Sequence, residues 1–233
     1  MRRFALHRAP AEYDAAFMDK MADEYLERTP WTELRLDAVR DLVEPKPGER
    51  ILDLGCAAGA VTHFVSTFGA DAVGVDAQPL GIEKARALFP DLRFQVADVT
   101  ELPFPDASFD KAVAADLVEH LDDEAFAGML TEARRVLVPG GTLSIYTPNP
   151  RHLIERMKAR DFILAQNPTH IGLRDAPTLA GFLVRAGFDV ERNEWRPSFF
   201  RGLKLVERLG GPRLSLLRYR LCLRGRTGSA NPS

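Results

Sequence analysis

Three aspartates and two glycines are the residues of this chain whose types and spacing suit a ligand. Asp53 lies in Arg50-Ile-Leu-Asp-Leu-Gly-Cys-Ala-Ala-Gly59, where Ile51, Leu52 and Leu54 form the apolar run of a strand covered on both faces. Gly55 and Gly59 then let the backbone bend sharply and let a ligand lie against it. The helix that follows starts with N–H groups that lack partners. A pyrophosphate favours such a helix start with no anion nearby, so Asp53 argues against one. The dinucleotide pattern G-x-G-x-x-G is also absent, because Ala57 holds its middle glycine position. A carboxylate here suits a ligand that carries an ammonium and a sulfonium, which points to S-adenosylmethionine rather than NAD.

Asp76 closes the next apolar run, about 20 positions after the glycine turn, where an acid accepts hydrogen bonds from ribose hydroxyls. Asp98 closes a third run, placed for the amino group of an adenine, with the Val99 amide facing a ring nitrogen. A lone strand-end aspartate is ordinarily a turn former or a helix cap. Three of them in register with one glycine turn fit a ligand-binding sheet edge better.

Two histidines suit proton transfer near neutrality. His120 follows the fourth strand, and helix capping or bracing by Glu119 and His120 explains the pair equally well. His170 sits in Asn167-Pro-Thr-His-Ile-Gly-Leu, between the inserted helix and the Pro177 helix, and is a candidate both for the base and for an acceptor contact. Glu119 and His120 are adjacent and so expected to point apart. With no His/Cys/carboxylate set at ligand spacing, no metal is expected. His7, His63 and His152 read as surface or helix residues.

The elements that must position these groups alternate. Strands near 50–54, 71–76, 92–97, 109–115 and 142–147 are separated by helices at 59–68, 79–88 and 122–136, which predicts a parallel sheet built from crossover units. The first 47 residues read as helical, punctuated by Pro10, Pro30, Pro45 and Pro47. Gly140-Gly141 turns into the fifth strand, and Pro148-Asn149-Pro150 opens an inserted helical stretch, 151–165. A helix after Pro177 ends at Gly187, followed by a strand over 188–195, a short helix over 199–209 and a last strand over 219–226. The expected organisation is a single domain: a helical cap (1–47), a cofactor-binding core (48–150) and substrate-side elements with the final strands (151–233). Tyr13 and Tyr25 on the cap are the aromatic candidates for acceptor contact, although their helix face also suits packing on the domain. Ile154, Met157, Phe162 and Ile163 would form a second apolar wall.

A net charge of −2 over 233 residues gives no global reason to expect nucleic acid. Cys56 and Cys222 form neither a metal pair nor a disulfide framework. The first residues lack the apolar core of a signal peptide, and no apolar stretch is long enough to span a bilayer. The expectation is a cytoplasmic protein. Residues 196–226 carry nine basic side chains against Glu207 alone. Contact with an anionic membrane surface is one reading of that segment; a final hairpin and helix with solvated arginines is the favoured one.

In order and spacing, Ile-Leu-Asp-Leu-Gly-Cys (51–56), Val-Gly-Val-Asp (73–76), Ala-Asp-Val (97–99), Pro-Asp-Ala-Ser-Phe-Asp (105–110), Leu-Val-Glu-His-Leu (117–121) and Arg-Val-Leu-Val-Pro-Gly-Gly (135–141) resemble the class I S-adenosylmethionine-dependent methyltransferases. They are most similar to the O-methyltransferases of ubiquinone biosynthesis. The resemblance implies a Rossmann-like, doubly wound α/β sheet of seven strands, mostly parallel with an antiparallel last strand. It implies methyl transfer to a small-molecule hydroxyl, with Arg35 on the methionine carboxylate and Ala115 touching the cofactor through its backbone. A guanidinium fork suits a carboxylate. The departure from the family is Cys56-Ala57-Ala58, where a further glycine is usual and where alanine is expected to keep a negative φ. N- or C-methylation, a cofactor-binding protein without turnover, and an NAD-dependent oxidoreductase are the alternatives.

Overall fold

A computed structural model describes residues 15–160 and 167–228. Seven strands form one sheet in the order β3-β2-β1-β4-β5-β7-β6. These are β1 (Arg50–Leu54), β2 (Asp71–Asp76), β3 (Arg93–Val96), β4 (Phe109–Ala115), β5 (Leu137–Pro148), β6 (Phe188–Arg196) and β7 (Arg220–Thr227). The pairs β1–β2, β2–β3, β1–β4 and β4–β5 are parallel, and β7 runs antiparallel between β5 and β6. The expected sheet is the observed one.

Among the described residues eight α-helices accompany it: α1 (Ala15–Leu26), α2 (Pro30–Val43), α3 (Ala60–Ser66), α4 (Pro79–Leu88), α5 (Asp123–Val136), α6 (Leu153–Lys158), α7 (Ala176–Arg185) and α8 (Arg201–Gly210). Local chemistry sets their starts. Thr29, Asp122 and Asp175 each accept a bond from a backbone N–H in the first turn of α2, α5 and α7. Pro30 and Pro177 occupy first-turn positions where a missing N–H costs nothing. Gly187, with φ of +84°, follows α7 at the expected left-handed stop.

Two apolar clusters cover the two faces of the sheet. Leu52 and Leu54 of β1 pack with α5 and α7 residues such as Phe126, Met129 and Leu183. Ile51 packs on the other face with Leu36, Val39, Val61 and Ile82 of α2, α3 and α4. Strand alternation places Asp53 on the Ile51 side, toward α3. Several boundaries differ from expectation, and the inserted helix expected over 151–165 stops at Lys158. Helix α3 is shorter, because Thr67–Gly69 close it in a turn. Strand β5 begins earlier, because Leu137 already pairs with Phe109 before a register shift. Tyr13, Phe162 and Ile163 lie outside the described residues. No helix among the described residues is long and apolar enough to cross a membrane.

Candidate active site

Strand order reverses between β1 and β4, so the crevice at their carboxyl ends is the ligand-binding edge of such a sheet. The glycine turn lies there. Gly55 and Gly59 have φ of +72° and +84°. A Cβ on Gly55 would stand 2.7 Å from Leu117, and one on Gly59 2.8 Å from Phe94, so packing as well as backbone conformation demands glycine at both. Ala57 corrects an expectation: its φ is +46°, not negative. The turn holds it there, since its N–H donates to Asp76 Oδ2 at 2.9 Å and both neighbouring amides of Gly55 and Cys56 donate to Val75 O.

The three strand-end acids stand where the sequence put them, and each is already engaged. Asp76 also accepts from the Gln78 amide at 2.8 Å; burial raises its carboxyl, against those two amides. Asp98 accepts from the amide and hydroxyl of Thr100 at 2.8 and 2.7 Å, so it is a turn former as well as a ligand candidate. Val99 beside it is buried. Asp53 is 2% exposed and accepts from Thr62 Oγ1 at 2.7 Å. Burial pushes its carboxyl up to about 7, with the Thr62 bond and the Arg35 charge opposing.

On the other side of the turn lies a buried cluster of charged groups that sequence reasoning saw only in part. Arg35, on α2, is 7% exposed, and its Nη1 stands 3.9 Å from Asp116 Oδ2. Asp116, next to Ala115 at the end of β4, also takes a bond from Arg220 Nη1 at 3.1 Å. Arg220 is packed over the Trp31 ring at 4.2 Å and lies near Tyr146 and Tyr219. Burial lowers its guanidinium, yet Asp116 leads the charges that leave it raised overall. Two guanidiniums thus share one aspartate, and Arg35 Nε, Arg220 Nε, Asp116 Oδ2 and Tyr146 Oη are buried with no hydrogen-bond partner. Such atoms cost free energy unless something pairs with them, and a carboxylate would pair with the two arginines. The expected place for a methionine carboxylate therefore fits the residues present. Arg220 and Asp116 were missed, although Asp116 is a fourth strand-end acid in plain view.

Beyond Asp116 the chain makes a short 3-10 turn, Val118–His120. His120 Nδ1 meets the Thr169 carbonyl at 3.1 Å and the Thr169 hydroxyl at 3.0 Å, which brings the His170 loop against it. The two imidazoles stand edge to face, with ring centroids 5.0 Å apart. Ligand atoms of Glu119, His120 and His170 lie within 4.8 Å of one another. The expectation that Glu119 and His120 point apart therefore fails, and the 167–174 loop completes the set by bringing His170 to both. Glu119 is 1% exposed and accepts from Thr147 Oγ1 at 3.0 Å. Burial, then Asp116, pushes its carboxyl up to about 8. Burial lowers both imidazoles, His170 to about 4 with help from the neighbouring His120. Burial thus favours the neutral form of both.

Arg174 staples this corner together. Its Nη1 donates to Val118 O and Gly172 O at 3.0 and 2.7 Å, and its Nη2 to Leu121 O at 2.9 Å and Asp123 at 2.6 Å. One guanidinium thereby ties the turn that carries His120 to the loop that carries His170.

Other candidates have different tasks. Tyr25 is buried; its hydroxyl meets His63 Nδ1 at 2.6 Å and its ring packs on Phe89, so it seats α1 on α3 and α4. His152 is not a surface residue: it is fully buried, caps α6 and pairs with Glu207 at 2.9 Å. Arg135 of the 135–141 motif donates to Leu102 O, Phe104 O and Asp106, which makes that motif a brace for the 102–106 loop.

Residues 51–141 match the methyltransferase domain family. A protein of Mycolicibacterium smegmatis assigned as an S-adenosylmethionine-dependent methyltransferase is 34% identical over 144 residues, 62% of this chain and 53% of that protein. The tocopherol O-methyltransferase of Arabidopsis thaliana is 33% identical over 127 residues, 52% of this chain and 36% of that protein. Among solved structures, an S-adenosylmethionine-dependent methyltransferase from Mesorhizobium loti superposes with a TM-score of 0.64 at 21% identity, covering 83% of this chain and 97% of that one. Phosphoethanolamine N-methyltransferase 2 of Haemonchus contortus, solved with S-adenosyl-L-methionine, gives 0.70 at 17% identity, covering 94% of this chain and 58% of that one. The chain spans about half the length of the curated relatives it matches. Residues 51–141 are thus similar to the methyltransferase domain family, and the seven-stranded sheet that holds them has the fold of solved S-adenosylmethionine-dependent methyltransferases.

Proposed function

We propose that this protein methylates a hydroxyl oxygen of a small aromatic or apolar acceptor, with S-adenosylmethionine as donor. The observation that carries the reading is the neutral His120–His170 pair, set a few residues past Ala115 and beside a buried cluster of charged groups for the methionine end. The sulfonium supplies a methyl group already attached to a good leaving group, so positioning does much of the work. Arg35 holds the methionine carboxylate and Asp53 faces the ammonium side. Gly55 and Gly59 let the ligand approach the backbone, as does the main chain at Ala115. Asp76 takes the ribose hydroxyls, and Asp98 with the Val99 amide takes the adenine.

A phenol or alcohol must lose its proton as the oxygen–carbon bond forms and the carbon–sulfur bond breaks. His120 is the better acceptor of that proton, because His170 lies lower, at about 4. With Nδ1–H donated to the Thr169 carbonyl, the lone pair of His120 is on Nε2. Relatives named O-methyltransferases support an oxygen target. A relative named phosphoethanolamine N-methyltransferase makes amines the control. The test is S-adenosylhomocysteine release, followed by mass spectrometry, across phenols, catechols and amines. Turnover on hydroxyls is expected; turnover on amines alone would overturn the oxygen assignment.

One observation favours a second reading. Two neutral imidazoles and a buried carboxyl within 4.8 Å suit a divalent cation of the nitrogen-and-oxygen-binding kind. Glu119, His120 and His170 would hold it, and a cation there lowers the pKa of a coordinated hydroxyl in place of a base. Activity lost to a chelator and restored by manganese, zinc or magnesium supports this reading; full activity in chelator leaves His120 as the base.

A further inference from the structure

We infer that α8 and the chain flanking it form a docking face for an anionic lipid bilayer. This does not depend on which acceptor is methylated. Surface helices ordinarily turn apolar residues inward, as α5 does with Phe126, Met129, Leu130 and Ala133. Helix α8 is built the other way round. Its inward side chain is Glu207, 0% exposed, while Leu205, Val206 and Leu209 are 62%, 53% and 74% exposed. Positions i, i+1 and i+4 share one helix face. Phe200 and Leu214, each 49% exposed, extend the apolar surface at either end of the helix.

The inversion is fixed in place. Glu207 Oε1 meets His152 Nε2 at 2.9 Å, and Oε2 accepts from the Ser198 amide at 2.5 Å. Rotating the helix to hide its leucines would break both bonds and expose a paired buried carboxylate. The same pairing removes the only acid of residues 196–226 from the surface. The exposed charges that this segment itself carries are therefore of one sign. Lys204, Arg208 and Arg213 make no ion pair among the described residues, whereas Arg192, Arg196, Arg224 and Arg226 of the neighbouring strands are paired with Asp41, Glu44, Glu191 or Glu194. Exposed apolar side chains accompanied by unpaired cations of the same segment match a bilayer interface, where leucines enter the acyl boundary and Lys and Arg meet lipid phosphates. A partner protein of neutral surface would leave those cations unmatched.

Vesicle flotation of the full chain tests this, with phosphatidylglycerol-containing vesicles against pure phosphatidylcholine at low and high salt. The wild type is expected to bind the anionic vesicles, more weakly at high salt. L205S/L209S is expected to lose about tenfold or more of that binding, with an unchanged melting temperature because both side chains are already exposed. R208Q/R213Q is expected to bind less and with a shallower salt dependence. Absence of vesicle binding at low salt would overturn the inference, as would undiminished binding of L205S/L209S. A wild-type dimer that L205S/L209S converts to monomer, without vesicle binding, would also overturn it, since a second copy would then cover the face.

Discussion

The two sides of the crevice are finished to different degrees. Under β1, β2 and β3, Asp53, Asp76 and Asp98 all have protein donors at 2.7–2.9 Å. Under β4 and β7, Arg35, Arg220, Asp116, Tyr146 and His170 each keep a buried polar atom without a partner. An ionised carboxylate has about four acceptor positions, so a satisfied aspartate can still take ribose or adenine hydrogens. A guanidinium or imidazole edge without a partner is a stronger sign, because burying it that way destabilises the fold. On the proposed reading, the nucleoside side is a preformed surface, and the methionine and acceptor side is completed by what binds.

Substitutions sharpen that difference. The largest effect belongs to His120→Gln, which should cut turnover by about 10²–10⁴-fold and leave S-adenosylhomocysteine affinity unchanged; steady-state kinetics with calorimetry separates the two. Next is Arg35→Ala, which removes a two-pronged carboxylate partner and should weaken S-adenosylhomocysteine by about 100-fold while adenosine binds as before. Equal losses for both ligands would erase the distinction between the two sides.

A smaller effect comes from Asp53. Its folded carboxyl keeps its proton up to about 7, while an unfolded aspartate releases it near 4. The folded state binds more protons in that window, so stability falls as pH rises through it. Asp53→Asn should flatten the decline of melting temperature between pH 5 and 7.5. The smallest is Ala57→Gly. Relief of a left-handed alanine outweighs the added entropy of the unfolded chain, and urea denaturation should show a gain of up to about 1 kcal/mol.

The nucleoside side was legible because its signals are local: a strand, a glycine turn and an acid at each strand end recur at short spacing. Arg35 was reached through family likeness rather than through its own surroundings. Arg220 was hidden, since nothing in residues 196–226 tells that β7 returns beside β5 and sets Arg220 opposite Pro148 at the crevice edge. The pairing of His152 with Glu207 joins residues 55 apart through burial alone, which no periodicity records. Glu119 and His120 were misjudged from their adjacency alone, since the return of the 167–174 loop, distant in sequence, completes the group. Asp116 needed no structure, only the rule already used for the other three acids.

The most direct test of the account is a calorimetric titration of S-adenosylhomocysteine into the wild type and into Asp76→Ala. The account predicts micromolar binding to the wild type that collapses in the variant. A wild type that binds none, or a variant that binds as well, would contradict the assignment of this crevice to S-adenosylmethionine.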